Sequence, residues 1–114
     1  MRPDDLIRLR HMLDAAQQAQ AFIQDKRRND LDDDLKLVWA PVKANEIIGE
    51  AAYQISPETR TQTPEIPWEK VIGIRHRLVH AYFDIDLDIL WKTVQDGLPP
   101  LVTALKATLD KESR

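Results

Sequence analysis

The stretch IRHRLVHAY, residues 74–82, gathers two arginines, two histidines and a tyrosine among apolar residues. A surface helix can carry arginines for solubility, but it rarely needs two histidines and a tyrosine beside them. Histidine exchanges a proton near neutral pH, because its unperturbed pKa lies close to that range. Arginine keeps its charge throughout that range. The residue types therefore indicate proton transfer beside a fixed cation.

The spacing of Arg75 and His80 indicates how such a site could be assembled. The two residues are five apart, which places them about 140° from each other around an ideal helix. On one helix they would flank a groove without touching. A second copy across a two-fold axis would bring an arginine and a histidine from each chain into one cleft, because a two-fold interface presents the same patch twice. The spacing therefore predicts a homodimer with a composite site.

The composition limits the kind of protein that can carry this stretch. The chain has 114 residues, 43% hydrophobic and 31% charged, which predicts a single soluble domain over residues 1–114. With a net charge of −3, any site for a polyanion must be a local basic patch. The absence of cysteine fits a cytoplasmic location and excludes a thiolate nucleophile. No apolar run reaches the ~20 residues of a membrane span, and MRPDDLIRLR is too charged for a signal peptide.

The pattern along the chain predicts an all-α fold. Alanine, leucine and charged residues dominate, glycines number three, and strand-like alternation is absent. Apolar residues at spacings of three and four predict four helices, the last broken by the prolines of DGLPP. These helices span about residues 3–26, 30–55, 67–82 and 87–109. Joined by short loops and the Pro-rich SPETRTQTPEIP, they form an up-and-down bundle of four to five helices, with the third and fourth near the two-fold axis.

Two residues of the second helix conflict with its core pattern. Its apolar stripe comprises Leu31, Leu35, Val38 and Val42. Pro41 lies inside the helix and removes a backbone donor, which costs ~3 kcal/mol in an ordinary helix interior. Asn45 falls among the core positions, where an unpaired amide costs ~1–3 kcal/mol. Either Pro41 kinks the helix and Asn45 bonds to the carbonyls that the proline frees, or one or both residues are substitutions that weaken the protein.

The motif formed by Arg75, His80 and Tyr82 resembles the R-x4-H-x-Y motif of HepT-like toxins, which belong to the HEPN superfamily of small helical ribonucleases. Further segments along nearly the whole chain resemble the same family in order: LRHMLDAA, EIIGEAA, PWEKVIGIRHRLVHAYFDID and LWKTVQDGLPPL. An arginine and a histidine at this spacing are common by chance, so the flanking segments make the resemblance specific. His76 fills a position where the superfamily usually places a polar residue.

The resemblance implies a HEPN-like helical domain that acts as a metal-independent endoribonuclease on RNA. His80 would take the proton from a 2′-hydroxyl, and Arg75 would hold the phosphate. His76, or the histidine of the second chain, would supply the acid, and the products would be a 2′,3′-cyclic phosphate and a 5′-hydroxyl. We expect no cofactor. We expect no catalytic metal either, because no carboxylate–histidine cluster has metal-ligand spacing.

The resemblance also implies a partner and a means of control. HepT-like toxins are typically paired with a minimal nucleotidyltransferase antitoxin, which transfers AMP from ATP to the motif tyrosine and so blocks the ribonuclease site. In this sequence the acceptor would be Tyr82. The toxin homodimer and its antitoxin could also assemble into a larger hetero-oligomer.

A non-catalytic alternative comes from a different functional class. The chain could be a HEPN-like helical module that binds nucleotide or a partner protein, which its negative net charge mildly favours. An isolated histidine at a helix end is more often a cap, and a tyrosine on an apolar stripe is more often a core residue. The presence of Arg75, His80 and Tyr82 together favours the enzyme, since a binding module needs no proton-transfer pair.

Overall fold

A computed structural model describes residues 1–81 and 84–113, with their side chains except at 75 and 79–81. Its elements follow in chain order: α1 (Pro3–Phe22), a 3-10 helix (Arg28–Asp32), α2 (Leu35–Gln54), α3 (Pro57–Gln62), α4 (Trp68–Ile72), α5 (Ile74–Leu78), β1 (Val79–Ala81), β2 (Asp84–Ile85), α6 (Leu87–Lys92), a π-helical segment (Thr93–Gly97) and α7 (Leu98–Glu112). The predicted all-α bundle is confirmed.

The three long helices, α1, α2 and α7, enclose one apolar core. Its fully buried side chains include Leu9 of α1, Ile48 of α2 and Leu105 of α7. The short helices α4 and α5 pack on α2. A Cβ built on Gly49 would lie 3.5 Å from the Val71 carbonyl oxygen, so α2 approaches α4 closely. No helix among the described residues is both long and apolar enough to cross a membrane.

The third and fourth predicted helices are each interrupted. The prediction of one helix from 67 to 82 is wrong, because α5 ends at Leu78 and the chain continues as β1, which pairs antiparallel with β2. The predicted break at DGLPP is confirmed, since a π-helical segment occupies Thr93–Gly97 and α7 begins with a proline in its first turn. Asp86 caps α6, because its carboxylate accepts a 3.0 Å hydrogen bond from the Ile89 amide.

Helix α2 contains both conflicting residues as one continuous helix. Asp34 caps it by accepting from the amides of Lys36 and Leu37. Asn45 is fully buried, and its Nδ2 donates to the Pro41 carbonyl oxygen at 2.9 Å. Asn45 therefore bonds to the backbone, as predicted, but its acceptor is the proline's own carbonyl and not a carbonyl that the proline frees. Among the residues that the structure describes, the Asn45 Oδ1 has no hydrogen-bond partner. A kink at Pro41 stays a prediction.

A buried carboxylate joins the start of α1 to the start of α3. Asp5 is 1% exposed and accepts hydrogen bonds from the Ser56 amide at 3.1 Å, the Ser56 hydroxyl at 2.6 Å and the Thr59 hydroxyl at 2.6 Å. Burial disfavours the charged form, but the hydrogen bonds from Ser56 and Thr59 outweigh that effect, so the pKa of Asp5 is lowered from its ordinary value. This cluster fixes the turn that leads from α2 towards the IRHRLVHAY stretch.

Candidate active site

The approach to the motif is fixed by a buried tryptophan. The Trp68 indole N–H donates to the Thr63 carbonyl and hydroxyl oxygens, at 3.2 Å each, and so anchors the first residue of α4. Gly73 caps the C-terminal end of α4, and its amide donates to the Glu69 carbonyl oxygen at 3.0 Å. A Cβ on Gly73 would lie 3.2 Å from that oxygen, which is a tight contact. Glycine therefore suits the position where α4 passes into α5.

Helix α5 is held from two directions. Ile74 and Leu78 are buried and lie four residues apart, so they direct one side of this short helix into the core. The Arg77 guanidinium donates to the Lys70 carbonyl oxygen at 2.9 Å, which ties α5 back to α4. Arg77 is otherwise exposed to solvent. Arg75 and His76 lie between the two buried residues in sequence.

The two proposed catalytic residues stand on different elements. Arg75 belongs to α5 and His80 to β1, so the 140° helical separation expected between them does not apply. The side chains of Arg75 and His80 lie outside the described part of the structure, as does all of Tyr82. Their mutual geometry therefore stays a prediction.

His76 lies in an open cleft of about 320 Å³ between α2 and the α4–α5 junction. The cleft wall on α2 consists of Glu46, Gly49, Glu50 and Tyr53. The predicted polar role of His76 is therefore compatible with its exposure, and the imidazole is open to a ligand. The position of the Glu46 and Glu50 carboxylates beside His76 was not predicted from the sequence. Their spacing of four residues, followed by Tyr53 three residues later, was the available signal that all three share one face of α2.

Metal ligands are not grouped in the part of the chain that the structure describes, where no three histidine or carboxylate side chains could hold one ion. His11, the remaining histidine, lies in a neighbouring groove that shares Glu46 and Glu50 with the His76 cleft. It lines a groove between α1 and α2 together with Arg8 and Lys43.

Comparison with known proteins identifies the family. The family model described as "Ribonuclease HepT-like" matches residues 12–108, which includes the cleft and the whole motif. The chain belongs to the HepT-like ribonuclease family. The resemblance drawn from the motif and its flanking segments is thereby confirmed.

Curated relatives carry names of the same family. "Putative RNase MJ1380" of Methanocaldococcus jannaschii is 34% identical over 90 residues, covering 79% of this HepT-like chain and 83% of the relative. "Probable ribonuclease HepT" of Thermococcus cleftensis is 44% identical over 68 residues, covering 60% of this chain and 62% of the relative. "Gamma-glutamylcyclotransferase and putative RNase MJ0434" of M. jannaschii is 32% identical, covering 97% of this chain but 51% of the relative. No solved structure gives a significant match.

Proposed function

We propose that this HepT-like chain is a metal-independent endoribonuclease and the toxin of a toxin–antitoxin pair. The observation that carries the proposal is that the family match includes Arg75, His80 and Tyr82 at the family's spacing. The names of the relatives as RNases support the reaction class.

The proposed reaction needs only side-chain chemistry. His80 takes the proton of a 2′-hydroxyl, whose oxygen attacks the adjacent phosphorus. Arg75 holds the phosphate oxygens as negative charge develops on them. The bond from phosphorus to the 5′-oxygen breaks, and that oxygen takes a proton from His76 or from the second chain's His80. The products are a 2′,3′-cyclic phosphate and a 5′-hydroxyl. The exposure of His76 in the cleft supports its availability as the acid.

Purified protein is expected to cut total RNA in the presence of EDTA, because no step of the proposed reaction uses a metal. Gel analysis of the RNA measures the outcome. A strict requirement for Mg²⁺ would contradict the mechanism. Retarded but intact RNA would favour the alternative, a non-catalytic HEPN-like module that binds nucleotide or a partner protein.

We further propose that a minimal nucleotidyltransferase antitoxin controls the enzyme by transferring AMP to Tyr82. Each AMP would place a phosphate and a base beside the residues that hold the substrate phosphate, so the modified enzyme is expected to be inactive. Mass spectrometry after incubation with such a transferase and ATP should show added AMP, and Tyr82→Phe should remove it. Tyr53 provides a matched control, because it is 66% exposed and is the other tyrosine of the chain. AMP mapped to Tyr53 would refute the assignment.

A further inference from the structure

An open cleft of about 480 Å³ lies between the end of α1 and the segment that runs from α6 to the start of α7. Its volume is within the range of small-ligand sites in proteins. This glutamine cleft is lined by Gln17, Gln20, Gln24 and Gln95, with Trp91 on the side of α6. The reaction proposed above uses none of these residues.

Local sequence spacing places the amides in the glutamine cleft. Gln17, Gln20 and Gln24 follow one another at spacings of three and four, which keeps them on one side of α1 and of the turn after it. On the opposite wall, Trp91 belongs to α6 and Gln95 to the π-helical segment. A π-helical turn inside a helix is rare and often marks a functional site.

The two walls of the cleft are held together by an ion pair. The Arg28 Nε donates to the Asp88 carboxylate at 2.7 Å, which links the segment after α1 to the first turn of α6. In the turn between α1 and this pair, Asp25 has the left-handed φ of 63°, and Lys26 after it lines the cleft. The cleft is therefore built before any ligand binds.

The polar groups of the glutamine cleft are available to a ligand. Within the described residues, its four glutamine side chains and the Trp91 indole N–H have no hydrogen-bond partner. The Trp68 indole, by contrast, donates to Thr63. Among the described lining residues Lys26 is the one charged side chain, although the chain contains 19 carboxylates. The cleft is therefore cationic in an acidic protein.

We infer that the glutamine cleft binds a nucleotide whose base is unpaired, either free or within single-stranded RNA. The Trp91 ring offers a flat surface on which any base can stack. A glutamine amide presents a donor and an acceptor side by side, which matches the edge of a base. The Lys26 ammonium pairs with the phosphate. A neutral sugar would use the ring and the amides but would leave the lysine without a role.

Within RNA, the nucleotide would make the cleft a substrate subsite, and this part of the inference rests on the proposed ribonuclease function. Helix α6 also contacts α5, which carries Arg75. RNA held on Trp91 therefore lies one helix away from the motif. Because such a subsite binds the substrate and the transition state alike, its loss should raise KM for RNA cleavage and leave kcat unchanged.

The indole N–H resonances in an NMR spectrum test nucleotide binding directly. The chain has three tryptophans, and Trp91→Phe identifies the resonance of Trp91. Millimolar AMP, GMP, CMP or UMP, or an eight-nucleotide single-stranded RNA added to His80→Ala, should shift this resonance. Trp39 is the internal control, because it is 50% exposed and lies outside the cleft. A response to mononucleotides assigns a site for free nucleotide, and a response to RNA alone assigns a subsite for RNA.

Substitutions in the cleft test the assigned contacts. Lys26→Glu and Gln24→Ala should each weaken binding about 10-fold, because the first repels the phosphate and the second removes a bond to the base edge. Both residues are exposed, so the fold should be unaffected, which thermal melts verify. Gln18→Ala is the matched control, since Gln18 is an exposed glutamine of α1 outside the cleft. It should stay within twofold of the wild type.

A Trp91 resonance that moves with neither mononucleotide nor RNA, or that moves only as far as that of Trp39, would overturn the inference. Equal binding of glucose, or binding that Lys26→Glu and Gln24→Ala leave unchanged, would also overturn it. Cleavage assays separate the two proposals. RNA cleavage without a shift of Trp91 overturns the nucleotide site alone, whereas a shift of Trp91 in a wild type that cuts no RNA overturns the ribonuclease alone.

Discussion

His80→Ala is expected to lower RNA cleavage by about 10²–10⁴-fold, which is the usual contribution of a general base. Alanine cannot accept the 2′-hydroxyl proton, and water is a poor substitute at neutral pH. Arg75→Ala should cause a loss of similar size, because the developing charge on the phosphate then lacks its cation. Cleavage of a labelled RNA under single-turnover conditions measures both effects.

The matched control for His80 is His11, which lies on α1 outside the motif, in a groove that shares Glu46 and Glu50 with the His76 cleft but does not contain His76. His11→Ala should retain cleavage, provided that its melting temperature and dimerisation are unchanged. Full activity in a folded, dimeric His80→Ala variant would refute the mechanism. Loss of activity in His11→Ala as well would show that the assay reports general damage and not the motif.

Asp5→Ala is expected to cause a large loss of stability, although Asp5 lies outside the motif. The substitution leaves the Ser56 amide and hydroxyl without their buried partner, and it also removes the acceptor of the Thr59 hydroxyl. Leaving buried donors unpaired should cost about 2–4 kcal/mol, or on the order of 10 °C in melting temperature for a domain of this size. Asp4→Ala is the matched control, because Asp4 is an exposed carboxylate in the same helical turn. Equal effects of the two substitutions would contradict a special role for the buried cluster.

The pH dependence of the Asp5 effect has a defined sign. The pKa of Asp5 is lowered in the folded protein, so the folded state holds this proton less strongly than the unfolded state does. The ionised Asp5 carboxylate therefore stabilises the folded protein fully above the unfolded pKa of about 4. This stabilisation is lost as the pH falls through the pKa of Asp5 in the folded state. Denaturant unfolding measures the free energy of unfolding of wild type and Asp5→Asn. The difference between the two should be constant from pH 5 to 7 and should become smaller below pH 4.

Much of the bundle could be predicted because local signals agreed with the packing. The apolar stripe of α1, the prolines of DGLPP and the Asp86 cap are each visible within a few residues of sequence. The end of α5 at Leu78 could not be predicted from the sequence, because the apolar residues of IRHRLVHAY suit a helix as well as a short strand. The antiparallel β1–β2 pairing selects the strand.

Other features depend on contacts that sequence patterns do not report. The burial of Asp5 depends on Ser56, which is 51 residues away in sequence. The exposure of Leu35 and Trp39 depends on which side of α2 the neighbouring helices leave uncovered. Both residues are apolar, so composition assigns them to a core. The carboxylates facing His76 similarly become part of the site only through the packing of α5 on α2.

The most direct test of the central proposal is the chemistry of the ends left on RNA by the wild-type protein in EDTA. A proton taken by His80 and an attack by the 2′-oxygen predict a 2′,3′-cyclic phosphate on one fragment and a 5′-hydroxyl on the other. The 5′-hydroxyl should accept phosphate from polynucleotide kinase without prior phosphatase treatment, and His80→Ala should yield neither end. Fragments with 3′-hydroxyl and 5′-phosphate ends, or intact RNA until Mg²⁺ is added, would contradict the account.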